Sequence, residues 1–211
     1  KEKVCLALQN VFTSTKIFVE DDLVGATRAV GRGVSGVVAI LGTGSNAALC
    51  VEGEIVRRIP SNGIWFGDEG SGASLGKELI KAYLNDDLPI DLKNAFEENY
   101  SERRAEILEN VYVKPFPNRY LASFAPFVRR QLHHPFLQVL VRENFQKFFE
   151  FVLRKLSIAA SHRSFYFVGS IAHFFSEKLQ EVADAQGIRI VRIMDQPIVG
   201  LGHYHLHEPT D

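Results

Sequence analysis

The sequence predicts an α/β fold built on a mixed β-sheet. Three strand-like runs, at residues 37–41, 47–51 and 54–59, follow one another with glycine-containing turns between them. Such a succession is typical of a meander of antiparallel hairpins. After the meander, helix and strand patterns alternate, and this alternation indicates parallel strands joined through helices. A sheet that contains both kinds of pairing is mixed.

The remaining elements are predicted from the spacing of apolar residues and from capping signals. Residues 2–12 form a helix, 17–20 a short strand, and 23–30 a helix that Asp21-Asp22 can cap. Six further helical regions are expected. The first follows the glycine-rich loop 67–76 and runs to about Leu84, the second consists of short helices within 91–110, and the third covers 118–131. The others begin after Pro135, after Gly169-Ser170, and at Pro197, the last running toward His205. Later strands are expected at 165–168 and 188–193.

The composition is that of an ordinary globular protein, with 211 residues, 46% of them hydrophobic and 23% charged. A net charge of -1 gives no support for a nucleic-acid or membrane partner, because binding to phosphate backbones needs a basic surface. Cys5 and Cys50 form no spacing motif, so a reduced, cytoplasmic protein is predicted. The start at Lys1-Glu2-Lys3 leads us to expect that residues upstream are missing.

The 16 phenylalanines are expected mainly in the core. Some of these rings are expected to face a second subunit, which predicts a homodimer.

Two glycine patterns match nucleotide-binding motifs only in part. Residues 31–36 have the G-x-G-x-x-G string of dinucleotide sites, but they follow a helix and precede a strand, whereas that fingerprint needs the reverse order. Residues 71–78 approach a P-loop, but Ser71 replaces the first glycine and Glu78 replaces the hydroxyl residue that would bind Mg²⁺. Neither pattern predicts a site.

A third glycine pattern, Gly42-Thr43-Gly44-Ser45-Asn46, lies between two predicted strands. Glycines in such a turn allow backbone N–H groups to approach an anion, and the two hydroxyls add donors. An ordinary hairpin turn would need the same glycines. The turn alone therefore leaves both interpretations open.

Five segments, in this order, resemble a known family: Asp22-Leu23-Val24-Gly25, Ile40 to Asn46, Gly67 to Gly72, Phe167 to Ala172, and Pro197 to His205. They are similar to the N-acetylglucosamine kinase branch of the BadF/BadG/BcrA/BcrD ATPases, in the actin-like ATPase superfamily. The resemblance implies an actin/ribonuclease-H-like fold. The Asp-x-Gly-x-Thr hairpin of the family is missing, so we expect most of the N-terminal lobe to be absent. Residues 1–33 would be its remnant, and 34–211 the C-terminal lobe with its C-terminal helix.

The resemblance also implies an ATP-dependent phosphotransferase that acts on an amino sugar at a primary hydroxyl, with N-acetylglucosamine as the expected substrate. Asp22 would accept the proton of that hydroxyl. The nucleotide would be held by Gly42, Thr43, Gly44, Ser45, Gly169 and Ser170. The sugar would be held by Asn46, Ser61, Asn62, Gly63 and Asp68. Mg²⁺ would accompany ATP, with ligands mainly in the missing N-terminal segment, so no metal ligand is assigned in this chain.

Each assignment has a purely structural alternative. Asp22 could be a helix cap, Asn62-Gly63 a favoured turn, and Asp68 a charge near a helix N-terminus. Asn46 could be paired within the fold, and Gly169-Ser170 could be a tight turn. His203, His205 and His207 alternate, but only the first and last share a helix face, so a metal site is not predicted there.

Two other functions stay open. One is a regulator that binds sugar or nucleotide without transferring phosphate. The other is an activator ATPase of a 2-hydroxyacyl-CoA dehydratase, which needs cysteines that hold an iron–sulfur cluster.

Overall fold

A computed structural model describes residues 1–156 and 163–206. Its centre is a five-stranded sheet in the order β3-β2-β1-β4-β5. The strands are β1 (Gly36–Leu41), β2 (Ser45–Val51), β3 (Glu54–Arg58), β4 (Ser164–Val168) and β5 (Arg189–Met194). β1, β2 and β3 pair antiparallel, whereas β4 pairs parallel with β1, and β5 with β4. The predicted mixed α/β sheet is confirmed.

Helices cover both faces of this sheet. The described residues contain α1 (Glu2–Gln9), α2 (Asp22–Val30), α3 (Gly63–Phe66), α4 (Gly72–Leu84), α5 (Ile90–Asn99), α6 (Arg104–Tyr112), α7 (Pro117–Ala122), α8 (Ala125–Arg130), α9 (Pro135–Leu156), α10 (Ser170–Phe174), α11 (Ser176–Ala185) and α12 (Pro197–Leu206). Within this described part, no helix is long and apolar enough to cross a membrane.

The central strand β1 is buried on both sides because its residues alternate between two cores. Val37, Ala39 and Leu41 belong to the larger core, which also contains the apolar stripe of α9. Val38 faces a smaller core, which α2 closes with Ala26. A strand that is covered by helices on both faces is apolar at every position rather than at alternate ones, and Val37 to Leu41 has this pattern.

Two predicted elements are wrong. Residues 17–20 form no strand: within the described residues no other strand pairs with them, and Phe18 is exposed. An apolar run needs a neighbouring strand to satisfy its backbone. The helix predicted over 118–131 is two helices, α7 and α8, because Pro126 has no N–H and its ring would clash with the carbonyl of Ala122.

Candidate active site

The turn between β1 and β2 is held by its carbonyl groups. The carbonyl of Gly42 accepts a hydrogen bond of 2.9 Å from the N–H of Gly72, and that of Thr43 accepts one of 3.0 Å from Ala73. Both donors lie in the first turn of α4, whose N–H groups have no partner within the helix. Inside the turn, Gly42 N–H donates to the Gly44 carbonyl at 3.0 Å. Among the described residues, no hydrogen bond uses the N–H groups of Thr43 and Gly44, which leaves two donors for an anion.

The carboxylate of Asp68 supports this turn from the side. Its Oδ1 accepts the N–H of Ser45 at 3.1 Å, and a Cβ at Gly44 would lie 3.1 Å from the same oxygen. Asp68 is 9% exposed and has a left-handed backbone with φ of 63°. The glycine at 44 therefore allows the turn and the carboxylate to approach each other.

Asn144 on α9 fixes the loop that carries Asp68. It is 2% exposed, its Oδ1 accepts the N–H of Gly70 at 3.1 Å, and its Nδ2 donates to the Ser71 carbonyl at 3.4 Å. Asn144 was not among the predicted site residues. The sequence does contain a signal for it, since Asn144 is a single amide within the inward apolar stripe of a long helix. A buried amide needs hydrogen-bond partners, which indicates a structural role.

A first pocket, here called the polar pocket, brings together most of the predicted sugar ligands. It is lined by Ser45, Asn46, Ala47, Ile59, Pro60, Ser61, Asn62, Gly67, Asp68, Glu69, Phe148, Phe151 and Val152. Gly63 does not line it and instead begins α3. The free volume is about 20 Å³, room for about one water molecule. A sugar would therefore enter only after the rings of Phe148 and Phe151, or the segment 59–62, moved apart.

A second pocket, here called the α8 pocket, lies on the other side of the turn and measures about 460 Å³. It is lined by Gly42, Thr43, Gly72, Ala122, Ala125, Pro126, Arg129, Arg130, Ser170, Ile171, Phe174 and Phe175. It contains three of the predicted nucleotide ligands. Its volume lies in the range of small-molecule sites. Arg129 and Arg130 were missed, because basic residues in the last turn of a helix are favoured by the helix dipole and give no separate signal of a ligand.

Gly169 brings the end of β4 against the end of β1. Its φ is +117°, and a Cβ on it would collide with the carbonyl oxygen of Leu41. Its N–H donates to the Met194 carbonyl at 2.8 Å, and Ser170 follows as the exposed first residue of α10. Only glycine permits this approach, which sets Ser170 beside the start of the Gly42 turn.

The two aspartates at the start of α2 have different roles. Asp21 is the helix cap: its Oδ1 accepts the Val24 N–H at 3.0 Å and lies 3.1 Å from Arg58 Nη1. Asp22 is the first helical residue and is exposed, and its side chain makes no hydrogen bond or ion pair with other described residues. The capping alternative weighed for Asp22 thus belongs to Asp21. Asp22 lines neither the polar pocket nor the α8 pocket.

Burial raises the pKa of Asp21, but the Val24 N–H and the Arg58 guanidinium outweigh it and lower the pKa to about 2. Such a carboxylate is a weak base. Of the neighbouring pair, Asp21 is therefore poorly suited to accept a proton near neutral pH.

No cluster of three or more potential metal ligands (His, Cys, Asp or Glu) is found among the described residues, 1–156 and 163–206. The Asp68 carboxylate already accepts the Ser45 N–H. His203 and His205 lie on α12, and His207 lies outside the described residues. Cys5 lies on α1 and Cys50 is buried in β2.

Comparison with known proteins relates the chain to sugar kinases. No protein-family model and no curated protein matches it. Over 97% of its length it is similar to a solved structure from Porphyromonas gingivalis that bears the name "Putative N-acetylglucosamine Kinase", with 36% identity, a TM-score of 0.92 and 72% of that chain covered. A protein of the same name from Chromobacterium violaceum has 22% identity and a TM-score of 0.61, with 86% of this chain and 64% of that one covered.

The mixed sheet, its flanking helices and these neighbours define an α/β protein with the predicted actin/ribonuclease-H-like fold. The chain belongs to the family of the Porphyromonas gingivalis protein named above, a family of sugar-kinase type.

Proposed function

We propose that this protein transfers the γ-phosphoryl group of ATP to a primary hydroxyl of an amino sugar, with N-acetylglucosamine as the substrate. The names of the two similar structures support the substrate class. The motifs Gly67 to Gly72 and Phe167 to Ala172 support the narrower membership in the BadF/BadG-type ATPases. A cytoplasmic homodimer, with residues 1–33 as part of an N-terminal lobe, is part of the same proposal.

The observation that carries the proposal is a single turn with a pocket on either side. Gly42 and Thr43 line the larger α8 pocket, while Ser45 and Asn46 line the polar pocket. Phosphoryl transfer needs a donor and an acceptor that meet at one phosphate. A nucleotide in the α8 pocket would present its phosphates to the N–H groups of Thr43 and Gly44, next to a sugar in the polar pocket.

The side chains of the chain would then bind and orient the two reactants. Asn46, Ser61, Asn62 and Asp68 offer hydrogen-bonding groups to sugar hydroxyls, and Asp68 needs its second carboxylate oxygen for this, because Oδ1 is used by Ser45. Gly169 and Ser170 would border the adenosine half. Asp22 would accept the hydroxyl proton, a role worth about 10² to 10⁴ in rate. Because Asp22 lines neither pocket, it must approach the sugar when the cleft closes.

The volume of the α8 pocket and the N–H groups of Thr43 and Gly44 in the neighbouring turn support ATP as the phosphoryl donor. Mg²⁺ would neutralise charge on its phosphates. The ligands of this ion are expected mainly in an N-terminal segment upstream of Lys1.

Replacing Asp22 tests the proposed base. In the full-length protein, we expect Asp22→Asn to lower kcat by about 10² to 10⁴ while sugar affinity stays within a few-fold, because the substituted side chain no longer accepts the proton. The matched control is Asp184→Asn, an exposed aspartate on α11 that lines neither pocket. Unchanged turnover in Asp22→Asn would remove the residue from the mechanism.

A substrate panel tests the function itself. We expect N-acetylglucosamine to stimulate ADP release more than other hexoses or N-acetylhexosamines do. A coupled enzymatic assay measures this release. If no sugar stimulates ADP release although sugar binding is measurable, the protein is a sensor rather than a kinase.

A further inference from the structure

A third concave surface lies away from the turn, where the C-terminal end of α2, strand β5 and helix α12 meet. It has a volume of about 250 Å³. Its lining, here called the arginine pocket, consists of Arg28, Ala29, Gly31, Arg32, Arg192, Gly200, His203 and Tyr204. None of these residues lines the polar pocket or the α8 pocket. The surface is therefore a separate feature of the molecule.

The arginine pocket has an excess of positive charge. Its lining contains three arginines and no carboxylate. In the described part of the chain, no ion pair involves Arg28, Arg32 or Arg192. The chain as a whole has 24 basic and 25 acidic residues, so this excess is local. Three guanidinium groups around one cavity repel one another, and an anion between them would relieve that repulsion.

The guanidinium groups are also held in place. Arg32 Nη2 donates to the Tyr204 carbonyl at 2.7 Å, and Arg192 Nη1 donates to the Val30 carbonyl at 3.0 Å. Arg28 and Arg32 lie over the ring of Tyr204, with 5.6 Å and 4.7 Å from guanidinium carbon to ring centroid. Each arginine has five N–H donors, so these contacts leave most donors unused. The groups are oriented before any ligand arrives, which lowers the entropic cost of binding.

From this geometry we infer that the arginine pocket binds a small phosphate-bearing anion. Guanidinium groups match phosphate oxygens through paired hydrogen bonds, and several of them together suit a doubly charged group. The volume is below the roughly 300 Å³ at which drug-sized ligand pockets begin, so the ligand is inorganic phosphate or a phosphate on a small body, not a nucleotide. The inference does not depend on the kinase function.

The bound anion would join three elements. Arg28 belongs to α2, Arg192 to β5, and Tyr204 to α12. A phosphate that contacts both arginines would fix the C-terminal end of α2 to the sheet. The same helix begins at Asp22, the proposed base, and spans nine residues. Anion binding would thus restrain the helix that carries Asp22.

Titration of the 211-residue chain with inorganic phosphate tests the inference. Calorimetry at constant ionic strength, adjusted with sodium chloride, separates specific binding from screening. We expect Arg28→Gln and Arg192→Gln each to weaken phosphate binding about tenfold, since hydrogen bonds to charged groups are stronger than neutral ones. The side chain of Arg28 makes no hydrogen bond with other described residues, and its replacement loses the contact with the Tyr204 ring at 5.6 Å, so we expect the fold to stay intact. The matched control is Arg189→Gln, an exposed arginine of β5 outside the pocket.

The outcomes separate the arginine pocket from the turn at Gly42, which could also hold phosphate. Equal affinity in the wild type and in Arg28→Gln and Arg192→Gln would place the ion elsewhere and overturn the inference. Absence of phosphate binding in the wild type would overturn it as well. A parallel titration with a hexosamine phosphate, in the wild type and in Arg28→Gln, identifies the ligand body: binding that is tighter than that of phosphate and is weakened in Arg28→Gln assigns a sugar phosphate, and any other result assigns phosphate itself.

Discussion

The buried amide of Asn144 should make a large contribution to the stability of the fold. In Asn144→Ala, the Gly70 N–H loses its only hydrogen-bond acceptor among the described residues, and the Ser71 carbonyl loses a donor. A buried polar group left without a partner costs about 1–3 kcal/mol. Alanine returns roughly 0.5 kcal/mol through its higher helix propensity. We therefore expect the free energy of unfolding to fall by about 0.5–2.5 kcal/mol.

Urea unfolding followed by circular dichroism measures this loss. The matched control is Gln146→Ala on the same helix, because its amide makes no hydrogen bond with other described residues, so its replacement should change stability by less than about 0.5 kcal/mol. Asn144→Ala should also raise the KM for sugar, because the loop with Asp68 loses its anchor. A loss no larger than that of Gln146→Ala would refute the reasoning and mean that water satisfies the Gly70 N–H.

Three further predictions concern single side chains. Asp21→Ala should lower the free energy of unfolding by about 1 kcal/mol at pH 7, since solvent screening limits the contribution of the ion pair. Because the pKa of Asp21 is lowered to about 2, this difference between wild type and variant should persist above about pH 4 and vanish toward pH 2. A difference in urea midpoint that is the same at every pH would contradict the prediction. Gly169→Ala should weaken nucleotide binding about tenfold or more in a fluorescence titration, because its Cβ meets the Leu41 carbonyl, and an unchanged Kd would disprove that role. Cys5 should react with a thiol reagent in the native protein, whereas Cys50, whose pKa is raised by burial, should react only on unfolding; equal labelling rates would show that β2 opens readily.

The fold was predictable where local patterns carry enough information. The apolar run Val37 to Leu41 is long enough and regular enough to define β1, and the stripe of α9 follows the helical period. Residues 17–20 show the limit of this reasoning, because a strand depends on a neighbour that no local pattern reveals. The break between α7 and α8 was readable in Pro126, whose missing N–H argues against one continuous helix.

The candidate site was only partly predictable for a similar reason. Glycine turns and acidic residues stand out in the sequence, and their order gave the resemblance. Which of two adjacent aspartates caps α2 depends on the orientation of Asp21 toward Val24 and Arg58, and this is a tertiary property. Arg129, Arg130 and Asn144 belong to helices that seemed to serve packing alone. The partners of Asn144 lie far away in the sequence, in the loop after Asp68. Arg130 donates to Asn99, and both arginines line the α8 pocket together with residues from distant segments.

The anchoring of the Gly42 turn by its carbonyls has a mechanical consequence. Because Gly42 and Thr43 are tied to the first residues of α4, the turn and that 13-residue helix must move as one body. The N–H groups at the positive end of the α4 dipole already donate to these carbonyls. A phosphate would therefore be attracted by the free N–H groups of the turn itself. A ligand there would find a rigid receptor whose shape was fixed during folding. Any closing movement around substrates must then be supplied by parts of the molecule other than this turn.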